Sequence, residues 1–367
     1  MAKLAKILVE ARRYRAAIRH YGGGWFGRGG LLSSLPLLLQ LYVREKFSPD
    51  EIFGLGLLDP GLSPDLRRRF VSNEKMLAQQ LRVNGLGLTR KVDDKLEFQR
   101  IADAHDLPMP RLHAVFDPAR GDHGTAAVLA DDADRGRFWN DAPAGELIVK
   151  PAGGTHGDGV FLVERRDEGL VVDRIRVVTP EALLAEMRGL GYDRWLVQQA
   201  IRSHADIARL TGSRALQTLR LVTVADRDGA ARIVAARFRI NGGDQIFDNF
   251  SGGRTGNLIA TLDIGTGRIL HVKGGDPSGF GLVTVSRHPR TGLEFADYRL
   301  PLWDAAVDVA RRAARAFQPV VTMGWDLGLT DDGVYIIEGN PSWDPLPGEP
   351  ALHIYEDLAR RPSQAAS

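Results

Sequence analysis

The sequence contains no cysteine, which excludes disulfide bonds, zinc-thiolate centres and thiol nucleophiles together. It also lacks long apolar runs: residues 31–42 are interrupted by Ser33, Ser34 and Pro36 and fall far short of the ~20 residues of a membrane span. Neither charge dominates, because 48 Lys and Arg residues face 46 Asp and Glu residues. We therefore expect a cytoplasmic protein with no transmembrane helix, no cleaved signal and no nucleic-acid partner.

What the chain does have is ordinary globular chemistry at a length of 367 residues, enough for two or three packed subdomains with a ligand cleft between them. Its N-terminus is locally basic. Weak contact with an anionic membrane surface is one interpretation, and a solvated helix face is the alternative that we favour. The charged residues of this segment are Lys3, Lys6, Arg12, Arg13, Arg15, Arg19 and Arg28, against Glu10.

Apolar spacing and the positions of glycine and proline predict an N-terminal helical region over residues 1–92. Helices are predicted over 3–20 and 64–83. Ser48 and Glu51 have the spacing of a capping box, and Asp93 or Asp94 is placed to cap a helix that ends near residues 107–108.

After residue 110 the pattern changes to short β-branched runs, which are typical of mixed α/β structure. We predict a first lobe over 93–201, a second over 202–350 and a C-terminal tail over 351–367, of which the last eight residues look frayed. A further helix is expected over 302–317. Strands are predicted at 127–129, 147–149, 160–163, 171–178, 195–197, 219–224, 232–240, 257–262, 283–285, 320–327 and 334–338.

The strongest local feature is a strand that ends in Lys150 and runs into a glycine-rich turn. Glycines let backbone N–H groups approach phosphate oxygens, and a lysine at a strand end adds a fixed positive charge. A β-hairpin with a loose loop is the alternative. We favour a phosphate clamp because a lysine on a strand otherwise written Leu-Ile-Val is costly unless an anion receives it. The turn contains Gly153, Gly154, Thr155, Gly157 and Gly159.

A second feature is a predicted hairpin near the C-terminus. Asp326 closes one apolar strand, residues 331–333 reverse the chain, and the next strand delivers Glu338 beside Asp326. Asn340 faces the same side as Glu338, because side chains repeat every two residues in a strand. Two carboxylates and an amide oxygen form the ligand set that Mg²⁺ takes when it also holds phosphates. An ordinary strand-end acid at Glu338 is the less economical interpretation.

Arginines on two further strands complete the candidate set. Arg220 lies on one strand, and Arg237 and Arg239 share one face of the next. A guanidinium fork suits a phosphoryl group or a carboxylate substrate, although each of the latter two could also belong to a solvated face. The strand that ends at residues 198–201 runs into an exposed connection whose backbone could contact an adenine edge.

Taken in order over roughly residues 90–345, these segments resemble the ATP-grasp superfamily, and especially its sugar-transfer associated and ribosomal-protein-S6 glutamate-ligase-like branches. The resemblance implies an ATP-grasp fold of the α/β (α+β) class, in which two mixed lobes clasp ATP. Gln198-Gln199 stands where many members carry a glutamate, and the first ninety residues are more helical than in most members.

The resemblance also implies roles for individual residues. It assigns nucleotide contacts to Lys95, Lys150, Gly153, Gly154, Thr155, Gly157, Gly159, Gln198, Gln199, Ile201 and Asp206, the last as a ribose-binding acid. It assigns the acyl-phosphate site to Arg220, Arg239 and Asn249, which precedes Gly252 and Gly253. It assigns one or two Mg²⁺ ions, with Mn²⁺ as a substitute, to Asp326, Glu338 and Asn340.

The implied activity is an ATP-dependent carboxylate–amine ligase that works through an acyl-phosphate. Its partners would be a small-molecule, peptide-linked or sugar-linked acid and an amine, in cell-envelope polysaccharide or peptide-conjugate synthesis. The alternatives are an ATP-grasp phosphotransferase, a nucleotide-binding module without turnover, and a structural α/β protein whose motifs match by chance. Both lysines and the three metal-ligand types are present, which favours an enzyme.

Overall fold

The computed structural model describes residues 2–23, 30, 32–153, 159–226, 229–243, 247–345 and 349–364. Within these ranges the first ninety residues are helical, and most of the rest builds two β-sheets with helices packed on them. The predicted α/β class is therefore confirmed. No described helix combines the length and apolar character that a membrane crossing requires.

The helices include the predicted N-terminal series and the long helix before the last hairpin. A π-helical turn covers Gln40–Arg44, and a short 3₁₀ turn covers Ser251–Gly253. The described α-helices are α1 (Ala2–His20), α2 (Leu35–Leu39), α3 (Pro49–Gly54), α4 (Pro64–Arg68), α5 (Asn73–Asn84), α6 (Leu86–Asp93), α7 (Lys95–Ala104), α8 (Asp132–Asn140), α9 (Pro180–Gly189), α10 (Ala205–Thr211), α11 (Trp303–Ala316) and α12 (Leu352–Ala359).

The strands fall into two sheets that follow one another in the chain. The first sheet contains β1 (Leu112–Phe116), β2 (Ala127–Leu129), β3 (Glu146–Pro151), β4 (Phe161–Arg166), β5 (Gly169–Val172), β6 (Arg176–Val178) and β7 (Trp195–Gln199). The second sheet contains β8 (Thr218–Ala225), β9 (Ala231–Ile240), β10 (Leu258–Leu262), β11 (Ile269–Gly275), β12 (Leu282–Thr284), β13 (Thr322–Thr330) and β14 (Gly333–Asn340).

The described strands of the first sheet run in the order β2-β1-β7-β3-β4-β5-β6. β1 and β2 are parallel, and the other neighbours are antiparallel. The second sheet has the order β12-β11-β10-β9-β8-β13-β14 and is antiparallel in every pairing. β3 thus ends inside the first sheet, whereas the last hairpin forms an edge of the second.

Alternation along β13 explains how the second sheet is covered. Trp325 and Leu327 belong to a core that also contains residues of α11, so one face of the sheet is dry. The opposite face is covered at one end by α5 and α12, whose residues pack around Trp343. The rest of this opposite face carries the polar residues described below.

Some predicted boundaries were wrong. The predicted helix over 64–83 is two helices, because the Ser72 hydroxyl accepts the Lys75 N–H and begins α5 afresh. The helix after Asp94 is capped as expected, but it ends at Ala104 because Asp106 adopts a left-handed conformation (φ 50°). The capping box of Ser48 and Glu51 is confirmed.

The predicted strand over 171–178 is a hairpin, because Asp173 and Arg174 both have positive φ and form the tight turn between β5 and β6. The last residues are not frayed as far as they are described: Gln364 donates its N–H to the Arg82 carbonyl at 2.9 Å, and Arg361 contacts Asp226 at 3.0 Å. The expected division into lobes stays a prediction.

Candidate active site

The β13–β14 hairpin carries the first group of site residues. Asp326 on β13 is the cross-strand partner of both Glu338 on β14 and Arg220 on β8. Cross-strand partners point to one face of a sheet, so these three side chains form a row. The predicted pairing of Asp326 with Glu338 is confirmed, and Asn340 lies on the same face two residues further along.

Asp326 is only 1% exposed, and guanidinium groups hold both of its carboxylate oxygens. Arg220 donates through Nε to Oδ1 and through Nη2 to Oδ2, the latter at 2.6 Å, and Arg239 Nη1 donates to Oδ2 at 3.2 Å. Burial alone would raise the pKa of Asp326, but the two positive charges outweigh burial and hold the pKa well below its usual range. A permanently ionised aspartate therefore orients two arginines.

Thr218 and Asp248 extend this network, although neither was singled out in the sequence. Asp248 is buried and accepts hydrogen bonds from the Thr218 backbone N–H and hydroxyl, each at 2.6 Å. The same hydroxyl oxygen accepts a bond from Arg239 Nη1 at 3.2 Å. Asp248 lies in a connection without periodic pattern, so its place beside Asn249 was the one sequence signal for it.

Lys150 and Lys95 approach Glu338 from the side of the first sheet. Lys150 lies on β3, and Lys95 begins α7, where its N–H donates to the Ala152 carbonyl at 3.0 Å. Lys150 is only 8% exposed, and burial lowers its pKa to about 8, although the charge of Glu338 opposes this shift and that of Lys95 adds to it. The pKa of Lys95 is also lowered by burial, against the nearby carboxylates. Both lysines thus lie within electrostatic range of the Glu338 carboxylate.

Gly339 explains how α7 can come so close to the last hairpin. A Cβ at this position would lie 2.5 Å from the Phe98 ring, so only glycine admits the helix here. Phe98 also contacts Phe317 and Trp325, with ring centroids 4.5 and 6.3 Å away. This packing fixes the start of α7, and with it Lys95, near Glu338.

The oxygen donors on the hairpin have the chemistry that Mg²⁺ prefers. Asn340 Nδ2 donates to Glu338 Oε1 at 3.3 Å, which leaves the amide oxygen available as a ligand. Asp326 already has guanidinium partners on both oxygens, so Glu338 and Asn340 fit an ion best. The described residues contain no group of three or more His, Cys, Asp or Glu side chains arranged for a metal.

The segment 198–201 connects the two sheets. Gln198 is buried and donates through Nε2 to Gln99 Oε1 of α7 at 3.0 Å, while Gln199 donates its N–H to the Arg111 carbonyl at 2.9 Å. Ile201 packs over Gly328 of β13, where a Cβ would lie 2.8 Å from Ile201 Cδ1. An adenine contact by this segment stays a prediction.

Two further candidates lie apart from the lysines. Asp206 pairs with Arg209 at 3.0 Å and lies near Tyr298, whose pKa is raised mainly by burial and secondly by this carboxylate. Asn249 has an exposed side chain. Its backbone carbonyl accepts hydrogen bonds from the Thr255 hydroxyl and the Asn257 side-chain amide at 2.6 and 3.0 Å. Within the described residues, neither side chain forms a hydrogen bond or ion pair with Glu338, and their roles stay predictions.

The glycine-rich turn is described only at its two ends. Gly153 is exposed, and Gly159 has φ 73° and packs against Trp195 and Leu190. Gly154, Thr155 and Gly157 lie outside the described residues. The predicted contacts of this turn with phosphates are therefore not tested.

Fold and site together define a two-sheet α/β protein in which lysines beside one sheet face arginines and carboxylates on the other. The sequence model of the sugar-transfer associated ATP-grasp family matches residues 78–348, and the chain belongs to this family. No curated protein matches the sequence.

Solved structures with a similar fold include ATP-grasp enzymes. The L-amino acid ligase of Bacillus licheniformis is 13% identical over 68% of this chain and 40% of its own, with a TM-score of 0.37. The D-alanine–D-alanine ligase of Bacillus anthracis is 11% identical over 73% and 65%, with a TM-score of 0.39.

A third similar structure is the biotin carboxylase domain of Hydrogenobacter thermophilus 2-oxoglutarate carboxylase, in complex with MgADP, ADP and bicarbonate. It is 10% identical over 75% of this chain and 47% of its own, with a TM-score of 0.41. The chain thus spans between 40% and 65% of the length of these three structures.

Proposed function

We propose that this protein is an ATP-dependent carboxylate–amine ligase that activates its acid substrate as an acyl-phosphate. One observation carries the proposal. The charge of Glu338 acts on both Lys95 and Lys150, while Asp326, the cross-strand partner of Glu338, holds Arg220 and Arg239. The site therefore offers four cations around one carboxylate pair, as a transferring phosphoryl group requires.

In the proposed reaction, a substrate carboxylate oxygen attacks the γ-phosphorus of ATP, and ADP leaves. The amine then attacks the acyl carbon and phosphate leaves, so one difficult step becomes two easier ones. Lys95 and Lys150 bind and orient the phosphates. Arg239, held by Asp326 and Thr218, faces the acyl-phosphate and offsets its charge. No nucleophilic side chain is needed.

Glu338 and Asn340 are the residues that would hold Mg²⁺, with Asp326 beside them. When bound, the ion neutralises phosphate charge. Whether or not the ion is bound, Asp326 positions Arg220 and Arg239, because both arginines donate hydrogen bonds to its carboxylate oxygens.

For the substrates we propose a small-molecule, peptide-linked or sugar-linked acid together with an amine. As the pathway we propose cell-envelope polysaccharide or peptide-conjugate synthesis, and the sugar-transfer association in the family's name supports a sugar-linked substrate. We propose a cytoplasmic location, because a sequence without cysteine fits a reducing compartment.

The experiment is hydroxylamine trapping. The purified protein, MgATP and a panel of carboxylic acids are incubated with hydroxylamine, and hydroxamate and ADP are both measured. Hydroxamate formed in step with ADP is the expected result, because hydroxylamine captures an acyl-phosphate as an amine would. A parallel panel of alcohols is incubated with MgATP under the same conditions. ADP formed together with a phosphorylated alcohol in that panel, with no hydroxamate from any acid, would contradict the ligase and identify a phosphotransferase. Arg239→Lys serves as the matched variant and should lower the hydroxamate yield without abolishing ADP binding.

A further inference from the structure

A second group of charged residues lies on the same face of the second sheet, beyond the site proposed above. It consists of Arg237 on β9, His271 and Lys273 on β11, and Glu349 just before α12, and we call it the outer charge cluster. Register explains why these residues share a face. Arg237 is the partner of Arg220 on one side and of Thr261 on the other, and Thr261 is in turn the partner of His271.

Arg237 is the unusual member of this cluster, because a buried arginine normally has all of its donors satisfied. It is only 7% exposed, and its Nη1 donates to the Ala236 carbonyl at 2.7 Å. Its Nε has no hydrogen-bond partner among the described residues. Burial lowers the pKa of Arg237 to about 10, and the nearby Glu349 only partly opposes this. A buried guanidinium with an open donor is costly unless an anion binds it.

Glu349 shows that a carboxylate is compatible with the cluster. Its Oε1 contacts His271 Nε2 at 2.5 Å and Lys273 Nζ at 3.3 Å. Burial opposes the ionisation of Glu349, but His271, Lys273 and Arg237 outweigh it and lower its pKa. The charges of Arg69 and Arg237 also act on His353, whose pKa is lowered first by burial and then by these two arginines. Within the described part of the chain, Arg237, His271 and Lys273 thus lie around the Glu349 carboxylate.

The cluster is close enough to the proposed reaction centre to act on the same molecule. Arg237 and Arg239 are two residues apart on β9, which corresponds to roughly 7 Å along a strand. Lys273 is separated from Arg239 by Ile259 of β10, a distance of about two strand spacings or roughly 10 Å. Both positions lie within the reach of a small substrate.

We propose that the outer charge cluster binds a second anionic group of the acid substrate, a carboxylate or a phosphate, while Arg239 faces the carboxylate that reacts. The substrate class is therefore an acid that carries two anionic groups separated by roughly 7 to 10 Å. Arg237 supplies the buried donor, and Lys273 and His271 share the anion with Glu349. This inference rests on the proposed function for the identity of the reacting carboxylate.

The test compares a diacid with a matched monoacid. Pimelate and heptanoate are titrated calorimetrically into the full chain, with and without MgADP. We expect pimelate to bind about 10-fold more tightly than heptanoate, because one charged hydrogen-bonded contact is gained. Arg237→Gln should abolish this preference, and Arg237→Lys should retain part of it.

The matched control is Arg311→Gln, which removes the same charge from an exposed position of α11 on the other side of the second sheet. It should leave the preference unchanged. If Arg237→Gln does not fold, Lys273→Gln takes its place and should reduce the preference several-fold. Titration with 6-phosphonohexanoate tells the two anions apart. If it binds more tightly than pimelate, the outer charge cluster is built for a phosphate, and if it binds more weakly, the cluster is built for a carboxylate.

Equal binding of pimelate and heptanoate by the wild-type chain would overturn this inference, as would a preference that survives in Arg237→Gln. Failure of the proposed function looks different. It would show as absent MgADP binding or absent hydroxamate, while the diacid preference measured without nucleotide would remain.

Discussion

The two faces of the second sheet are built on one backbone and differ in almost every side chain. On β13, the residues at odd positions are apolar and lie in a continuous core, whereas those at even positions are small or charged. The odd set is Met323, Trp325, Leu327 and Leu329, and the even set is Thr322, Gly324, Asp326, Gly328 and Thr330. One face stabilises the fold, and the other leaves space and charge for a ligand.

Two glycines on the charged face allow neighbouring side chains to pack directly on the strand on either side of Asp326. A Cβ at Gly324 would lie 2.9 Å from Trp343 Cβ and 3.1 Å from Arg220 Cδ, and Gly328 is similarly covered by Ile201. Asp326 therefore lies between two glycines that are covered by other side chains. Stability and binding are separated by two-residue alternation, and the following variants test how complete that separation is.

The largest effect on stability is expected from Trp325→Ala on the dry face. Trp325 is fully buried, and its Nε1 donates to Thr223 Oγ1 at 2.8 Å. Truncation should lower the free energy of unfolding by about 3–5 kcal/mol, because it leaves a cavity and removes the hydrogen bond. Urea unfolding measures this loss. Trp325 reaches the charged side only through the Phe98 ring of α7. The MgADP affinity of the folded variant should therefore fall by no more than about tenfold, and a larger loss would contradict the separation of the two faces.

Asp326→Asn should break the separation, because this residue serves both roles. It removes the counter-charge of two arginines and should cost about 2–4 kcal/mol of unfolding free energy, since buried charges are left without a partner. Hydroxamate formation should fall by at least about 100-fold. A variant with wild-type stability would show that solvent or an ion already neutralises Arg220 and Arg239.

Lys150→Met should weaken ADP binding by about 10- to 100-fold, as expected for a lost charged contact. The same residue predicts a pH effect, because burial lowers its pKa to about 8, below that of an unfolded lysine. Between these two pKa values the unfolded chain holds the proton and the folded chain does not. The stability of the wild type relative to Lys150→Met should therefore rise with pH above about 8, while its affinity for ADP falls.

Calorimetric titration with ADP and urea unfolding at about pH 7 and about pH 9.5 measure these two effects. Lys91→Met, a change at an exposed lysine of α6, is the matched control. A stability difference from Lys150→Met that does not change with pH would contradict the pKa assignment.

The smallest effects come from a matched pair on opposite faces. Ile336→Val on the dry face should cost about 1 kcal/mol of stability and leave turnover unchanged. Thr218→Val removes the hydroxyl between Asp248 and Arg239 and should cost a similar amount, about 1–2 kcal/mol. Unlike the first variant, it should also lower turnover. Equal turnover in both variants would remove Thr218 from the site.

The parts of the molecule that the sequence predicted are those with a local signal. Alternation placed Asp326, Glu338 and Asn340 on one face, and the Ser48 capping box needed only four residues to be recognised. The hairpin turn between β5 and β6 was missed because Arg174 stands where such a turn usually carries glycine, although Asp173 is a residue that favours it.

What could not be predicted depends on contacts between distant residues. The closeness of Lys95 to Glu338 requires Phe98 to pack on Gly339, and no local pattern records such a pair. The same holds for Asp248, which lies in a connection and whose partners Thr218 and Arg239 lie on β8 and β9. The sequence also did not reveal that Arg220 and Arg239 both bind Asp326, which changes how this residue would take part in metal binding.

The central claim is that Glu338 is the carboxylate around which the lysines and the metal ligands are arranged. The most direct measurement is the calorimetric affinity for ATP of wild type and Glu338→Gln, each with and without Mg²⁺. In the absence of Mg²⁺ we predict that Glu338→Gln binds ATP more tightly, by roughly 3- to 10-fold, because a negative charge beside Lys95 and Lys150 is removed. With Mg²⁺ the order should reverse. Identical affinities for both proteins under both conditions would contradict this account of the site.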